Sequence, residues 1–181
     1  IRKEDVPSVL PILPLRNTVL FPGVVIPITA GRDQSIKLIK EANKGDKTIG
    51  VVAQKNESTE DPGKDDIFHI GTVARILKVL KMPDGNVTVI IQGKKRFKVA
   101  EVLTEEPYMN ATIRDLPEAK PAVKNKEFSA IIDSIKDLAL EIIKESPNIP
   151  SEASFAIKNI ESNSFLVNFV SSNMNLSVSE K

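Results

Sequence analysis

The stretch Leu10–Ile28, LPILPLRNTVLFPGVVIPI, is apolar at most positions and carries prolines at 11, 14, 22 and 27. A membrane-spanning helix needs about 20 uninterrupted apolar residues. Here each proline removes a backbone donor, and Arg16 and Asn17 interrupt the middle. A secretory signal has a basic start, a proline-poor apolar centre and small residues at its cleavage site, and this stretch has none of these. It therefore reads as β structure. Leu10, Ile12 and Leu15, punctuated by proline, suit an edge strand or an irregular entry. Pro22-Gly23 is a turn signal, and the β-branched run from Val24 to Ile28 is expected to be core strand. The kinked centre, Asn17–Gly23, is where apolar side chains are expected to face outward.

Beyond this stretch the chain has the composition of a globular protein, 181 residues with 41% apolar and 27% charged. It has no cysteine, so it forms no disulfide and no thiolate metal site, which fits a reducing compartment. A net charge of +1 gives no global attraction to nucleic acid or an anionic membrane. A cytoplasmic location with no membrane partner is the expectation.

The segment between Gly31 and Gly45 is helical, with Ile36, Ile39 and Ala42 on its apolar face. Ile49–Ala53 is a short strand, and the polar run 54–66, with Pro62-Gly63, is a surface loop. A long strand follows, alternating over Thr72–Val79. Asp84-Gly85 then marks a hairpin returning through Val87–Gln92. RFKVAEVL (96–103) alternates as a further strand, and YMNATIRDL (108–116) supplies one more. LPEAKPAVKNKE (116–127) reads as a linker. Beyond it Phe128, Ile131, Ile132, Ile135, Leu138, Ala139, Ile142 and Ile143 keep the helical period until Pro147 and Pro150. A shorter helix begins near Ser151, and a third, capped by Ser162, carries Phe165, Leu166, Phe169, Val170 and Met174. The closing NLSVSEK suits the start of another helix, so truncation before a longer helix is expected. The organisation is a strand-rich domain at 1–117 and a helical subdomain of three helices at 118–181. The class is α+β, with a small barrel or pseudo-barrel first.

No catalytic constellation emerges. The chain lacks a P-loop, since GKKRF has one glycine and no Ser or Thr after its lysines, and it lacks a nucleophile elbow. His69, the only histidine, sits within a strand in IFHIG, whereas a triad would need it paired with a serine and oriented by an acid, and a histidine metal site would need a second histidine. Glu57, Glu60, Asp61, Asp65 and Asp66 lack the spacing that converges oxygens on Ca²⁺ and form a solvated loop. Lys94, Lys95, Arg96 and Lys98 are the strongest nucleic-acid signal. With one tyrosine and no tryptophan, base-stacking platforms are scarce, so nucleic acid is not the favoured partner.

Several motifs together resemble the N-terminal domain of the Lon family of ATP-dependent proteases. They are the P-L-R-[ND]-x-V-x-[FY]-P opening at Pro14–Pro22, Gly31-Arg32, Val52–Gln54, Gly71-Thr72-Val73-Ala74, the hairpin Leu80-Lys81-Met82-Pro83-Asp84-Gly85, and Gly93 with its basic strand. The resemblance implies a PUA-like β pseudo-barrel with one early helix, followed by an all-α helical bundle. It implies capture of unfolded, damaged or regulatory protein substrates and support of hexamer assembly. It further implies that ATP, Mg²⁺ and a serine–lysine dyad belong to other domains, so this fragment is non-catalytic and holds no cofactor or metal. Substrate capture needs an exposed apolar patch. The candidates are Leu20, Phe21 and Pro22 at the opening turn and Leu80, Met82 and Pro83 at the hairpin tip. Met82 is flexible and polarizable, which suits promiscuous contact. The alternatives are a PUA-like nucleic-acid-binding module using Lys94, Lys95, Arg96 and Lys98, or a stand-alone adaptor domain.

Overall fold

The computed structural model describes residues 8–119, 125–150 and 152–181. Strands come first: β1 (Val9–Leu15), β2 (Val25–Ala30), β3 (Thr48–Ala53), β4 (Ile70–Lys81), β5 (Val87–Thr104) and β6 (Asn110–Asp115), with helix α1 (Asp33–Lys44) between β2 and β3. Helices α2 (Lys126–Glu145), α3 (Glu152–Lys158) and α4 (Asn163–Asn173) follow. The strand order is β2-β5-β4-β3-β1-β6, and β6 also pairs with β5. The strands β5, β4, β3, β1 and β6 therefore close a ring, and β2 is appended to it through β5. The central linker residues 120–124 and the expected helix start at Ser151 lie outside the described residues.

The opening strand is not an edge strand. β1 runs parallel to β3 on one side and antiparallel to β6 on the other. Its alternate residues feed two separate cores, Leu10 and Ile12 one, Leu13 and Leu15 the other. Burial on both faces is the usual condition of a parallel strand and explains the near-continuous apolar run. The prolines fit because their missing donors face places where a ladder has ended. The N–H of Ile12 donates to Met109 O (2.8 Å), so Ile12 and Pro14 turn their backbone toward β6, whose pairing stops at Pro11. Pro14 O instead accepts from the Arg32 guanidinium at 3.1 Å. Pro11 turns toward β3, whose pairing begins only at Ile12.

β4 and β5 form the expected hairpin, with a five-residue loop, Met82–Asn86, closed by Met82 N–H to Asn86 O at 2.8 Å. VTVIIQG and RFKVAEVL are not separate strands. They are halves of the single 18-residue β5, which gives Val87, Val89 and Ile91 to one core and Phe97 and Val99 to the other. The halves meet at Gly93, which is buried. A Cβ at Gly93 would lie 2.4 Å from the carbonyl oxygen of Phe21. Only glycine lets the opening turn close this tightly on β5. The turn is then fixed by Gly23 N–H to Gly93 O and Gly93 N–H to Val24 O, each 2.9 Å, and by the Thr72 hydroxyl donating to Leu20 O at 2.7 Å.

The helices carry their own stop and start signals. α1 ends at Gly45, whose N–H donates to Glu41 O and Ala42 O. Asn125 caps α2 and Ser162 caps α4, each side chain accepting from the N–H three residues on. α4 reaches the barrel: Leu166 is fully buried and the Phe165 ring lies against Gly23, which has φ +81°. At the chain's end Ser177 and Glu180 make a reciprocal capping box, and Lys181 N–H donates to Ser177 O.

Candidate functional site

The outer surface of β4, β5 and β2 is set by register. Lys78, Ile90 and Pro27 lie side by side across the three strands, as do Leu80, Thr88 and Thr29, and Arg75, Gln92 and Val25. The neighbouring rows, Ile76–Ile91–Ile26 and Val79–Val89–Ile28, face the core. On the outer face Leu80, Ile90, Pro27 and Val25 make an apolar diagonal flanked by Lys78 and Arg75. Leu80 is 39% exposed and Val25 48%. The diagonal ends at the hairpin tip, where Met82 is 43% exposed and Pro83 is also exposed. Leu77 adds a further exposed apolar side chain at a register shift between Ile76 and Lys78. An apolar strip beside cations can take up apolar segments of another chain while the cations remain solvated.

The six expected contact residues separate. Leu80, Met82 and Pro83 stand exposed together. Leu20 and Phe21 do not face outward: they are 4% and 5% exposed and belong to the core. Pro22 is half-buried. The reason is the approach at Gly93, which folds the turn inward, and the Phe165 ring lies against Gly23 of the same turn. Val25 and Pro27, read as core strand, are exposed, as is Thr29 of the same strand, and Ile90 completes the diagonal. Only the phase of the β5 alternation, which places Val89 and Ile91 inside, carried a signal for Ile90.

The basic strip is dispersed by contacts. Lys95 pairs with Asp115 at 3.3 Å, Lys94 donates to Gln92 Oε1 at 2.9 Å, and the Arg96 guanidinium lies 5.4 Å from the centre of the Phe21 ring. Lys98 is exposed. Stacking on Phe21 is worth about 0.5–1 kcal/mol at such a site and turns Arg96 toward the fold. His69 is not within a strand. It precedes Ile70 on an exposed bend, with Nε2 3.1 Å from Lys64 O. The loop acids are used locally: Asp66 accepts from Gly63 N–H at 2.9 Å. Among the described residues no group of three or more His, Cys, Asp or Glu is placed to hold a metal ion. None of their helices is long and apolar enough to cross a membrane.

Two other features stand out. Ile131, Leu138 and Ile142 form an exposed row along α2, while Ile132 of the same helix is buried. Arg32, just before α1, donates to Glu60 O at 2.9 Å as well as to Pro14 O. Burial, and then the nearby Arg16, hold its guanidinium below the usual arginine range, while Asp61 acts in the opposite sense.

Residues 9–181 match the family described as the ATP-dependent protease La (LON) substrate-binding domain. A Lon protease of Flavobacterium johnsoniae is 73% identical over 178 residues, 98% of this chain and 22% of that protein. A Lon protease of Cytophaga hutchinsonii is 54% identical over 179 residues, 99% of this chain and 22% of that protein. The chain thus spans 22% of the length of these relatives. Among solved structures, the N-terminal domain of the Mycobacterium avium complex Lon protease superimposes with a TM-score of 0.75 at 19% identity, covering 95% of this chain and 86% of that one. The Lon N-terminal domain protein from Xanthomonas campestris gives 0.58 at 15% identity, covering 93% and 99%. These two likenesses bear on the fold alone.

Proposed function

The chain belongs to the Lon substrate-binding domain family, and on that premise we propose that it captures unfolded, damaged or regulatory proteins for an ATP-dependent protease. The observation that carries the reading is the apolar diagonal of Val25, Pro27, Ile90 and Leu80 running to Met82 and Pro83. Folded proteins share no common sequence signal, so a surface that selects unfolded ones senses exposed apolar side chains. Capture in this role is binding without chemistry, so the chain is read as non-catalytic. ATP, Mg²⁺ and peptide cleavage are assigned to other parts of a longer, cytoplasmic, hexameric protein.

The test uses the 181-residue chain and reduced, carboxymethylated lactalbumin as an unfolded probe. Leu80→Ser combined with Met82→Ser should weaken binding by about tenfold, equivalent to roughly 1.4 kcal/mol, with an unchanged circular dichroism spectrum. Equal binding by the double variant would overturn the assignment of capture to this surface. The nucleic-acid alternative makes the opposite prediction about salt: phosphate contacts would weaken steeply as salt rises, whereas apolar capture persists.

A further inference from the structure

A groove of about 410 Å³ lies between the end of β1 and the outer edge of β2. Leu15, Arg16, Pro27, Thr29, Arg32 and Ser35 are among its lining residues. Because Val24 O accepts from Gly93, alternation turns the backbone of Ile26, Ile28 and Ala30 toward β5. The backbone of Val25, Pro27 and Thr29 turns the other way, and among the described residues no strand pairs with that edge. Pro27 therefore costs the β5 ladder nothing, and the free edge keeps the Val25 and Thr29 N–H groups together with three carbonyls.

The charge at this edge is unbalanced. Arg16 and Arg32 both reach the carbonyl of Glu60, at 3.5 and 2.9 Å. Neither has a carboxylate within 4 Å among the described residues, where Lys95–Asp115 is the sole ion pair. Asp61 offsets part of the field at Arg32 from a longer distance. Arg32 is occupied by two carbonyls and holds the groove's shape. Arg16 is exposed, and its one contact is long, so most of its donors are unused.

We propose that this groove binds an extended peptide segment that adds to the free edge of β2 and sets an Asp or Glu side chain against Arg16. The inference rests on the substrate-binding reading and names the chemistry of the substrate: extended, and acidic at one position. Backbone pairing supplies affinity without regard to sequence, and the arginine supplies a preference. A charge-assisted contact of this kind is stronger than a neutral hydrogen bond.

The experiment measures binding of capped, fluorescent, β-branched decapeptides to the 181-residue chain. The peptide with one central Asp should bind about tenfold more tightly than its Asn counterpart, and Arg16→Ala should erase that difference while leaving the fold intact. N-methylation of one set of alternate residues should abolish binding, and of the other set should spare it. Equal binding of the Asp and Asn peptides, a preference that survives Arg16→Ala, or indifference to both N-methylated sets would each overturn the proposal. Lactalbumin binding separates the two readings. If Leu80→Ser with Met82→Ser still weakens it while the peptide results fail, only the groove falls. If the double variant has no effect while the peptide results hold, the hairpin surface falls and the groove stands.

Discussion

The Phe165 ring occupies the space that a side chain on Gly23 would need: a Cβ there would lie 2.8 Å from Phe165 Cδ2. One residue belongs to the proline-rich opening turn and the other to α4, so the contact ties the last long helix to the first turn of the barrel. Gly23 also holds φ +81°, a conformation that costs other residues about 1–2 kcal/mol. Gly23→Ala should therefore destabilise through both backbone and clash. Phe165→Ala, at a half-buried site, should cost about 2–3 kcal/mol. The double variant should lose less than the sum, because removing the ring relieves the clash. Urea denaturation of the four proteins reads the coupling, and strict additivity would refute the contact.

Gly93→Ala should be among the most damaging single substitutions. The added methyl meets the Phe21 carbonyl, which belongs to the backbone and cannot rotate aside. Relief requires lifting the turn from β5, which breaks the two bonds joining Gly93 to Gly23 and Val24. A loss of about 2–4 kcal/mol is expected, larger than ordinary overpacking alone. A thermal melt within a degree or two of the parent would contradict this.

Tyr108 donates a hydrogen bond to the Glu41 carboxylate, and that bond, followed by burial and then the carboxylate's charge, raises its pKa. The neutral phenol is the form the fold favours, so its contribution is complete below the ordinary tyrosine pKa of about 10 and fades as pH rises through the folded value. With one tyrosine and no tryptophan, absorbance near 295 nm follows this group alone. Glu41→Gln should move the midpoint downward. An unshifted titration would show that the contact is absent in solution.

Leu80→Ser with Met82→Ser should leave stability within about 0.5 kcal/mol, since neither side chain belongs to a core cluster. Loss of probe binding at constant stability separates a surface role from a structural one. A marked fall in denaturation midpoint would instead place these residues in the folding energetics.

Much of the fold was legible because its signals are local. Asp84-Gly85 announces the hairpin, Gly45 stops α1, and Ser162 caps α4, each through chemistry confined to a few residues. β1 was harder. Prolines argue against a central strand unless one knows where the neighbouring ladders end, and that depends on β3 and β6, far away in sequence. The same limit hid the direction of Phe21. Its burial depends on a glycine 72 residues later, and nothing within Asn17–Gly23 encodes that approach. Met82 was readable as exposed because a hairpin tip has no neighbours to cover it, whereas Ile90 needed the phase of a strand whose length was underestimated.

The prolines of β1 also act as a key. Sliding the strand by one residue would exchange the sides its backbone groups face. Pro11 would then present its blank position to β6 and Pro14 to β3, each within a ladder that needs a donor. The misaligned chain would lose hydrogen bonds as well as turning Leu10 and Ile12 into the wrong core. Prolines that suit a strand at the edge of a sheet thus fix the alignment of the strand on which both halves of the barrel are built.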